Sequence, residues 1–224
     1  ARALSAWIYS AAILPCALVA LAGAAALADG GVAHWVLPMG VPWIGTHLRL
    51  DGLAAFFLVV IGIGGAMTSL YAIGYGRHEH DPGRVLPFYP AFLGAMIVVV
   101  LADDAFTFLF SWEVMSLLSW ALVVAHHRDG AAREGGYVYL VMASFGTMAL
   151  LLAFGLLTGA GGDYSFAAIR ASQHTPATPI TVLALLLAGA GSKPGLAPFH
   201  VRLPLPHPAP PTPGPAPLRG PATP

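Results

Sequence analysis

The sequence predicts an all-α fold: a polytopic transmembrane bundle of about six membrane helices, the last one broken at Lys193-Pro194. Three observations predict it. Hydrophobic residues make up 57% of the 224 residues and charged residues only 9%, where a soluble domain carries about 25% charged residues. Six apolar stretches reach or approach the roughly 20 residues that cross a bilayer. The arginines fall in short polar segments that alternate with those stretches. The same composition excludes other classes. Ten basic and ten acidic residues cancel, so no basic field points to nucleic acid. One cysteine, Cys16, excludes a disulfide framework, a thiolate metal cluster and a Cys-x-x-Cys redox motif.

The first stretch covers about 6–28. Arg2, the apolar run and Ala26-Leu27-Ala28 before Asp29 have the outline of a signal peptide. The run is longer than the 7–15 residues of a signal core, so a retained helix is expected. Residues 31–48 are too polar and proline-broken to span, and Trp35 and Trp43 suit an interface, ring in lipid and N–H in water. The second stretch, about 53–75, carries Gly62, Gly64 and Gly65 for close helix packing, with Tyr71 and Tyr75 as anchors. The third, about 86–102, has Pro87 and Pro90 in its first turn, where proline is tolerated. The fourth runs from about 105 to 125 and the fifth from about 137 to 158. The sixth begins near 180 and continues past Ser192. Arg2, Arg77, Arg84, Arg128 and Arg133 fall on one side of this alternation, Arg49 and Arg170 on the other. The positive-inside rule then places the N-terminus in the cytoplasm and Asp103-Asp104 outside, in a cell inner membrane.

Two ionisable residues interrupt the apolar stretches. Glu113 lies eight residues beyond Ala105, about 12 Å along a helix at 1.5 Å per residue. Ionised and unpaired there it would cost several kcal/mol. It therefore needs a proton or a partner, and Ser116, one turn on, lies on its face. Lys193 lies thirteen residues beyond Ile180, about 20 Å along. Pro194, Gly195 and Pro198 follow it, and proline deletes backbone donors, so the helix must break. Broken backbone at membrane depth is tolerated only against protein or a water-filled cavity. A hydrated polar centre is expected at Lys193. Desolvation and a nearby carboxylate move a lysine's proton affinity in opposite directions. A Glu–Lys pair can therefore load and release a proton, and Glu113 and Lys193 are the expected proton relay. The alternative for the same residues is a static ion pair that locks two helices together. Helix tilt can close the roughly 8 Å difference in their depths.

Other signals are weaker. Gly189-Ala-Gly-Ser-Lys193 is not a phosphate loop, because Pro194 replaces the required Ser/Thr and the glycine spacing differs. His78-Glu79-His80 and His126-His127 fall in polar loops, and no metal site is expected there. His200, beside the helix break, titrates near neutrality and is, with Ser116, a further relay candidate.

With Glu113 and Lys193 placed, the order of motifs resembles the antiporter-like membrane subunits of respiratory complex I, membrane-bound nickel–iron hydrogenases and Mrp antiporters. Three stretches carry the resemblance. The first is Leu50-Asp51-Gly52-Leu53 leading to Leu70-Tyr71-Ala72. The second is Val99 to Asp104 followed by Ser111-Trp112-Glu113-Val114-Met115-Ser116. The third is Gly191-Ser192-Lys193-Pro194-Gly195 with Pro198-Phe199-His200 and His207-Pro208. Ser111–Ser116 and His126-His127-Arg128 are most similar to the large membrane subunit of formate hydrogenlyase and hydrogenase-four.

The resemblance implies that Glu113 modulates Lys193 within an inverted five-helix repeat. The third to sixth stretches would be four of its five helices. It implies partners: the lipid bilayer, other membrane subunits and a peripheral redox arm. It implies no cofactor and no catalytic centre in this chain. A Na⁺/H⁺ antiporter subunit would use the same residues. The departures predict a fragment. The family chain is roughly twice this length, with a second repeat, and has Trp at Arg202 and Ala at Pro206. Half of the twenty prolines lie in residues 204–224, and such a segment cannot form a membrane helix. Three regions are thus expected: an N-terminal helix and outer loop (1–48), an antiporter-like domain (49–203) and a disordered proline-rich tail (204–224), read as the frameshifted or mis-assembled end of a truncated gene, with a genuine proline-rich docking linker as the alternative. A truncated chain of this kind could also be non-functional.

Overall fold

The computed structural model describes residues 2–38, 40, 45–75, 85–124, 130–159, 163–172 and 178–193, with backbone alone for 2–6, 75, 130–134 and 178. Trp43, His78, Glu79, His80, His126, His127, Pro194, Gly195, Pro198, His200, His207 and the proline-rich tail lie outside the described residues.

Helix α1 (Arg2–Asp29) leads through a two-stranded antiparallel hairpin, β1 (Ala33–Leu37) and β2 (Thr46–Leu50), into α2 (Gly52–Tyr75). The remaining elements are α3 (Phe88–Leu101), α4 (Ala105–Val123), α5 (Gly130–Thr158), the short α6 (Phe166–Ala171) and α7 (Thr178–Ser192). The six expected helices are all present. Four of them, α1, α2, α4 and α5, are long and apolar enough to cross a membrane. The other two are shorter: α3 has 14 residues and α7 has 15, about 21 and 22 Å. The sixth ends at Ser192, immediately before Lys193.

Helices α1 and α2 lie against each other through small residues. A Cβ on Gly62 would stand 2.6 Å from the backbone of Cys16 and Ala20, and one on Gly23 would stand 2.7 Å from the Ala55 carbonyl. A Cβ on Gly65 would stand 2.8 Å from Cys16 Sγ, whereas Gly64 faces open space, so the packing expected of three glycines in α2 is carried by two. Tyr89 joins α3 to α2, donating to the Gly65 carbonyl at 3.1 Å and lying 3.0 Å from Ser69 Oγ. Gly62→Leu is expected to force α1 away from α2, costing roughly 1–3 kcal/mol. A lower thermal unfolding midpoint of the purified protein would register it, with Gly64→Leu as the neutral comparison.

The hairpin was not expected from the sequence. Its register pairs Ala33 with Leu50 and Leu37 with Thr46. It is fastened to the ends of the membrane helices by the Asp103-Asp104 link. Asp103 N donates to the His47 carbonyl at 2.9 Å, Ala105 N to the Tyr164 carbonyl at 2.9 Å and Phe166 N to the Asp103 carbonyl at 3.1 Å. The polar backbone at this end is thus paired across three segments, as burial requires. Asp104 is 1% exposed and caps α4. Its oxygens accept from Thr107 N and Thr107 Oγ1, both at 2.6 Å, and from His47 N at 3.1 Å. Rings of Phe108, Phe154 and Phe166, with centroids 5.8–6.3 Å apart, hold α6 against α4 and α5.

Asp51 caps α2 in turn, accepting from Ala54 N at 2.9 Å and from the Arg49 guanidinium. The Ala54 N–H and the guanidinium hold its carboxyl below the ordinary carboxylate value. A carboxyl lowered on folding stabilises fully above its unfolded value of about 3.9, and the contribution is lost as pH falls through the folded value. The protection factor of the Ala54 amide, its exchange rate relative to an unfolded chain at the same pH, is therefore expected to hold at neutral pH and to fall only below about pH 4.

Candidate functional site

The site forms where α4, α5 and α7 meet. Asp104 starts α4 at a defined residue, which places Glu113 a little over two turns into an otherwise uncharged helix. Glu113 Oε2 accepts a hydrogen bond from Thr147 Oγ1 on α5 at 2.5 Å. The same hydroxyl is 3.2 Å from the Ala143 carbonyl of its own helix. Thr147 thereby provides the polar partner that a carboxyl at this depth needs.

Helix α7 reaches this point because it packs on α5 through glycine. A Cβ on Gly189 would meet Leu150 at 2.7 Å and the Gly146 carbonyl at 2.9 Å, and one on Gly146 would run into Ser192 Oγ. Gly189, in the segment compared with a phosphate loop, thus serves helix contact. Ser192 Oγ donates to the Gly189 carbonyl at 2.8 Å. Lys193 N lies 3.4 Å from the Ala190 carbonyl, tightening the last turn.

Lys193 then projects onto α4. Its Nζ donates to Ser116 Oγ at 2.8 Å and stands 4.0 Å from the centroid of the Trp112 ring. Ser116 gives its own hydroxyl hydrogen to the Trp112 carbonyl at 2.8 Å. The ammonium is therefore received by a hydroxyl acceptor and an aromatic face, both suited to a cation. Glu113 and Ser116 are three residues apart on α4, so α4 carries the partners of both α5 and α7. Among the described residues no buried side-chain oxygen or nitrogen lacks a partner.

A cavity of about 500 Å³ opens beside this site at the hairpin end. Its wall includes Arg49, Asp51, Asp103 and Arg170 at the polar end and Phe108 and Trp112 further in. A volume of this size with several polar partners has room for a chain of waters. Arg49 and Arg170, expected on one side of the membrane, do line one cavity. Among the described residues no group of three or more His, Cys, Asp or Glu gathers as a metal site would require.

Of the residues expected in the site, Lys193 and Ser116 are in contact, Glu113 lies three residues before Ser116 on α4 and bonds Thr147, and the others lie outside the described residues. Trp112, Thr147, Gly146 and Gly189 are the participants not singled out for it from sequence.

Comparison with known proteins agrees with this architecture. Residues 102–220 match the family described as NADH:quinone oxidoreductase/Mrp antiporter, TM. Hydrogenase-4 component B of Escherichia coli is 34% identical over 159 residues, 70% of this chain and 24% of that protein. A probable K⁺/H⁺ antiporter component of Rhizobium meliloti is 33% identical over 203 residues, 88% of this chain and 20% of that protein. The chain thus spans about a quarter or less of the length of these relatives. The structure superposes with TM-score 0.73 on a chain of a membrane-bound sulfane sulfur reductase, an archaeal respiratory membrane complex, at 20% identity, covering 92% of this chain and 45% of the other. The chain is a membrane-spanning member of the NADH:quinone oxidoreductase/Mrp antiporter transmembrane family.

Proposed function

We propose that this chain takes part in proton translocation within a multi-subunit membrane complex driven by a redox reaction, with Glu113 and Lys193 as its relay. The observation that carries this reading is the reach of Lys193 from the end of α7 to Ser116 on α4, one turn from Glu113. A lysine that donates to a neutral hydroxyl and faces an aromatic ring can give up a proton without leaving a charged acceptor behind at that hydroxyl. The carboxyl on the next turn sets how readily it does so. The cavity lined by Arg49, Asp103 and Trp112 supports the reading by bringing space for water to the edge of the site. His200 belongs to the proposal as a neutral-pH carrier. The electron-carrying groups would reside in a peripheral arm made of other subunits, and the chain would sit in the inner membrane with a cytoplasmic N-terminus.

The experiment is proton translocation in vesicles prepared from membranes containing this chain. Glu113→Gln keeps shape and hydrogen bonding but cannot accept the charge, and it is expected to slow translocation by about tenfold or more with normal assembly. Translocation at the unaltered rate would contradict the relay.

A second reading is a monovalent cation/proton antiporter. The similarity to the K⁺/H⁺ antiporter component, close in identity to that with the hydrogenase component and longer in reach, favours keeping it. Collapse of a preformed pH gradient on adding Na⁺ or K⁺, without electron donor, would select this reading over the redox-driven one.

A further inference from the structure

We propose that Thr147 is a positioning residue that lets Glu113 change protonation state at constant hydrogen-bond satisfaction; this rests on the relay reading above. The Thr147 hydroxyl has one hydrogen and two acceptors in reach, Glu113 Oε2 at 2.5 Å and the Ala143 carbonyl at 3.2 Å. With the carboxyl deprotonated, the hydrogen points to Oε2. When a proton arrives on Oε2, the new O–H donates to Thr147 Oγ1, and the threonine hydrogen turns to the Ala143 carbonyl. One hydroxyl rotation thus exchanges donor and acceptor, and no heavy atom moves. The hydroxyl loses no proton overall, since it only changes the acceptor to which its hydrogen is given.

The exchange matters because an unsatisfied buried carboxyl or hydroxyl costs about 1–3 kcal/mol. Without a partner able to reverse its role, one of the two protonation states would bear that cost, and the proton would be trapped in the other. A backbone amide would leave the O–H of the protonated form without an acceptor, and a carbonyl would leave the deprotonated form without a donor. A hydroxyl serves both. Thr147 is the hydroxyl that meets the carboxyl. Helix α3 carries no charged residue, α5 carries none between Gly135 and Thr158, and α7 carries none before Lys193. Lys193 reaches α4 at Ser116, three residues beyond Glu113.

The test compares Thr147→Val, which keeps the branched shape without the hydroxyl, with Thr147→Ser, which restores the hydroxyl. Proton translocation in native membrane vesicles is expected to fall by about tenfold in Thr147→Val and to stay within about twofold of wild type in Thr147→Ser. The infrared C=O band of protonated Glu113, assigned by its loss in Glu113→Gln, is expected to shift to higher frequency in Thr147→Val, because its O–H loses its acceptor. Should Thr147→Val not accumulate in membranes, Thr147→Ala against Thr147→Ser makes the same comparison. Unaltered translocation and an unmoved band in the variant without the hydroxyl would overturn the role of Thr147. If Glu113→Gln also translocates normally, the relay itself fails; if Glu113→Gln is slow and Thr147→Val is not, only the role of Thr147 fails.

Discussion

Lys193→Ala is expected to stop proton translocation almost completely, by roughly a hundredfold, while the protein still inserts and assembles. The large effect follows from position. Lys193 is the one charged residue at the α7 terminus among the described residues, and its ammonium fills the space between Ser116 Oγ and the Trp112 ring. Alanine leaves that space without an ionisable side chain. Assembly is expected to survive because α7 is held to α5 by Gly146, Leu150 and Gly189, whereas the ammonium reaches α4. Lys193→Arg separates charge from proton transfer. It keeps a cation able to bond Ser116, but a guanidinium does not deprotonate in a protein. It is therefore expected to assemble as well as wild type and to translocate as poorly as Lys193→Ala. Quenching of a pH-sensitive dye in vesicles, normalised to immunodetected protein, measures both quantities.

Asp104→Ala is expected to have the largest effect on stability, about 3 kcal/mol, seen as reduced accumulation in membranes and a lower thermal midpoint. The carboxyl is buried and receives three donors, Thr107 N, Thr107 Oγ1 and His47 N. Removing it uncaps α4 and leaves those donors without their acceptor at a site closed to water. Asp104→Asn retains one acceptor oxygen for the α4 cap but sets its NH2 against the donors at the other oxygen, so it is expected to lose less than Asp104→Ala, about 2 kcal/mol. The effect should reach the functional site too. The α4 cap fixes the register from which Glu113 and Ser116 are presented, and the same carboxyl ties α4 to β2. A fully stable Asp104→Ala protein would show that α4 is anchored elsewhere.

The membrane helices were legible because their signal is composition sustained over a known length. The fourth stretch, expected over 105–125, is α4 at Ala105–Val123, and the second, 53–75, is α2 at Gly52–Tyr75. The hairpin and α6 were not legible for the opposite reason. Strands of five residues and a helix of six are too short for periodicity to separate from loop. Glu113 and Lys193 stood out because a charge inside an apolar run is costly. Asp104 carried a readable signal, an acidic residue three positions before Thr107 at the head of an apolar run, but its bond to His47 is tertiary. Thr147 was hidden. A threonine in a membrane helix ordinarily bonds its own backbone one turn back, as Thr158 does to the Phe154 carbonyl. Only the fold brings Thr147 to a carboxyl 34 residues away in sequence.

The coupling of Glu113 to Lys193 is measured most directly by a double-mutant cycle on the translocation rate, using Glu113→Gln, Lys193→Ala and both together in the same vesicles. If Glu113 acts by tuning Lys193, each single variant is slow and the double variant is no slower than Lys193→Ala alone, so the two effects do not multiply. Translocation at the wild-type rate in Lys193→Ala, or losses that multiply in the double variant, would contradict it.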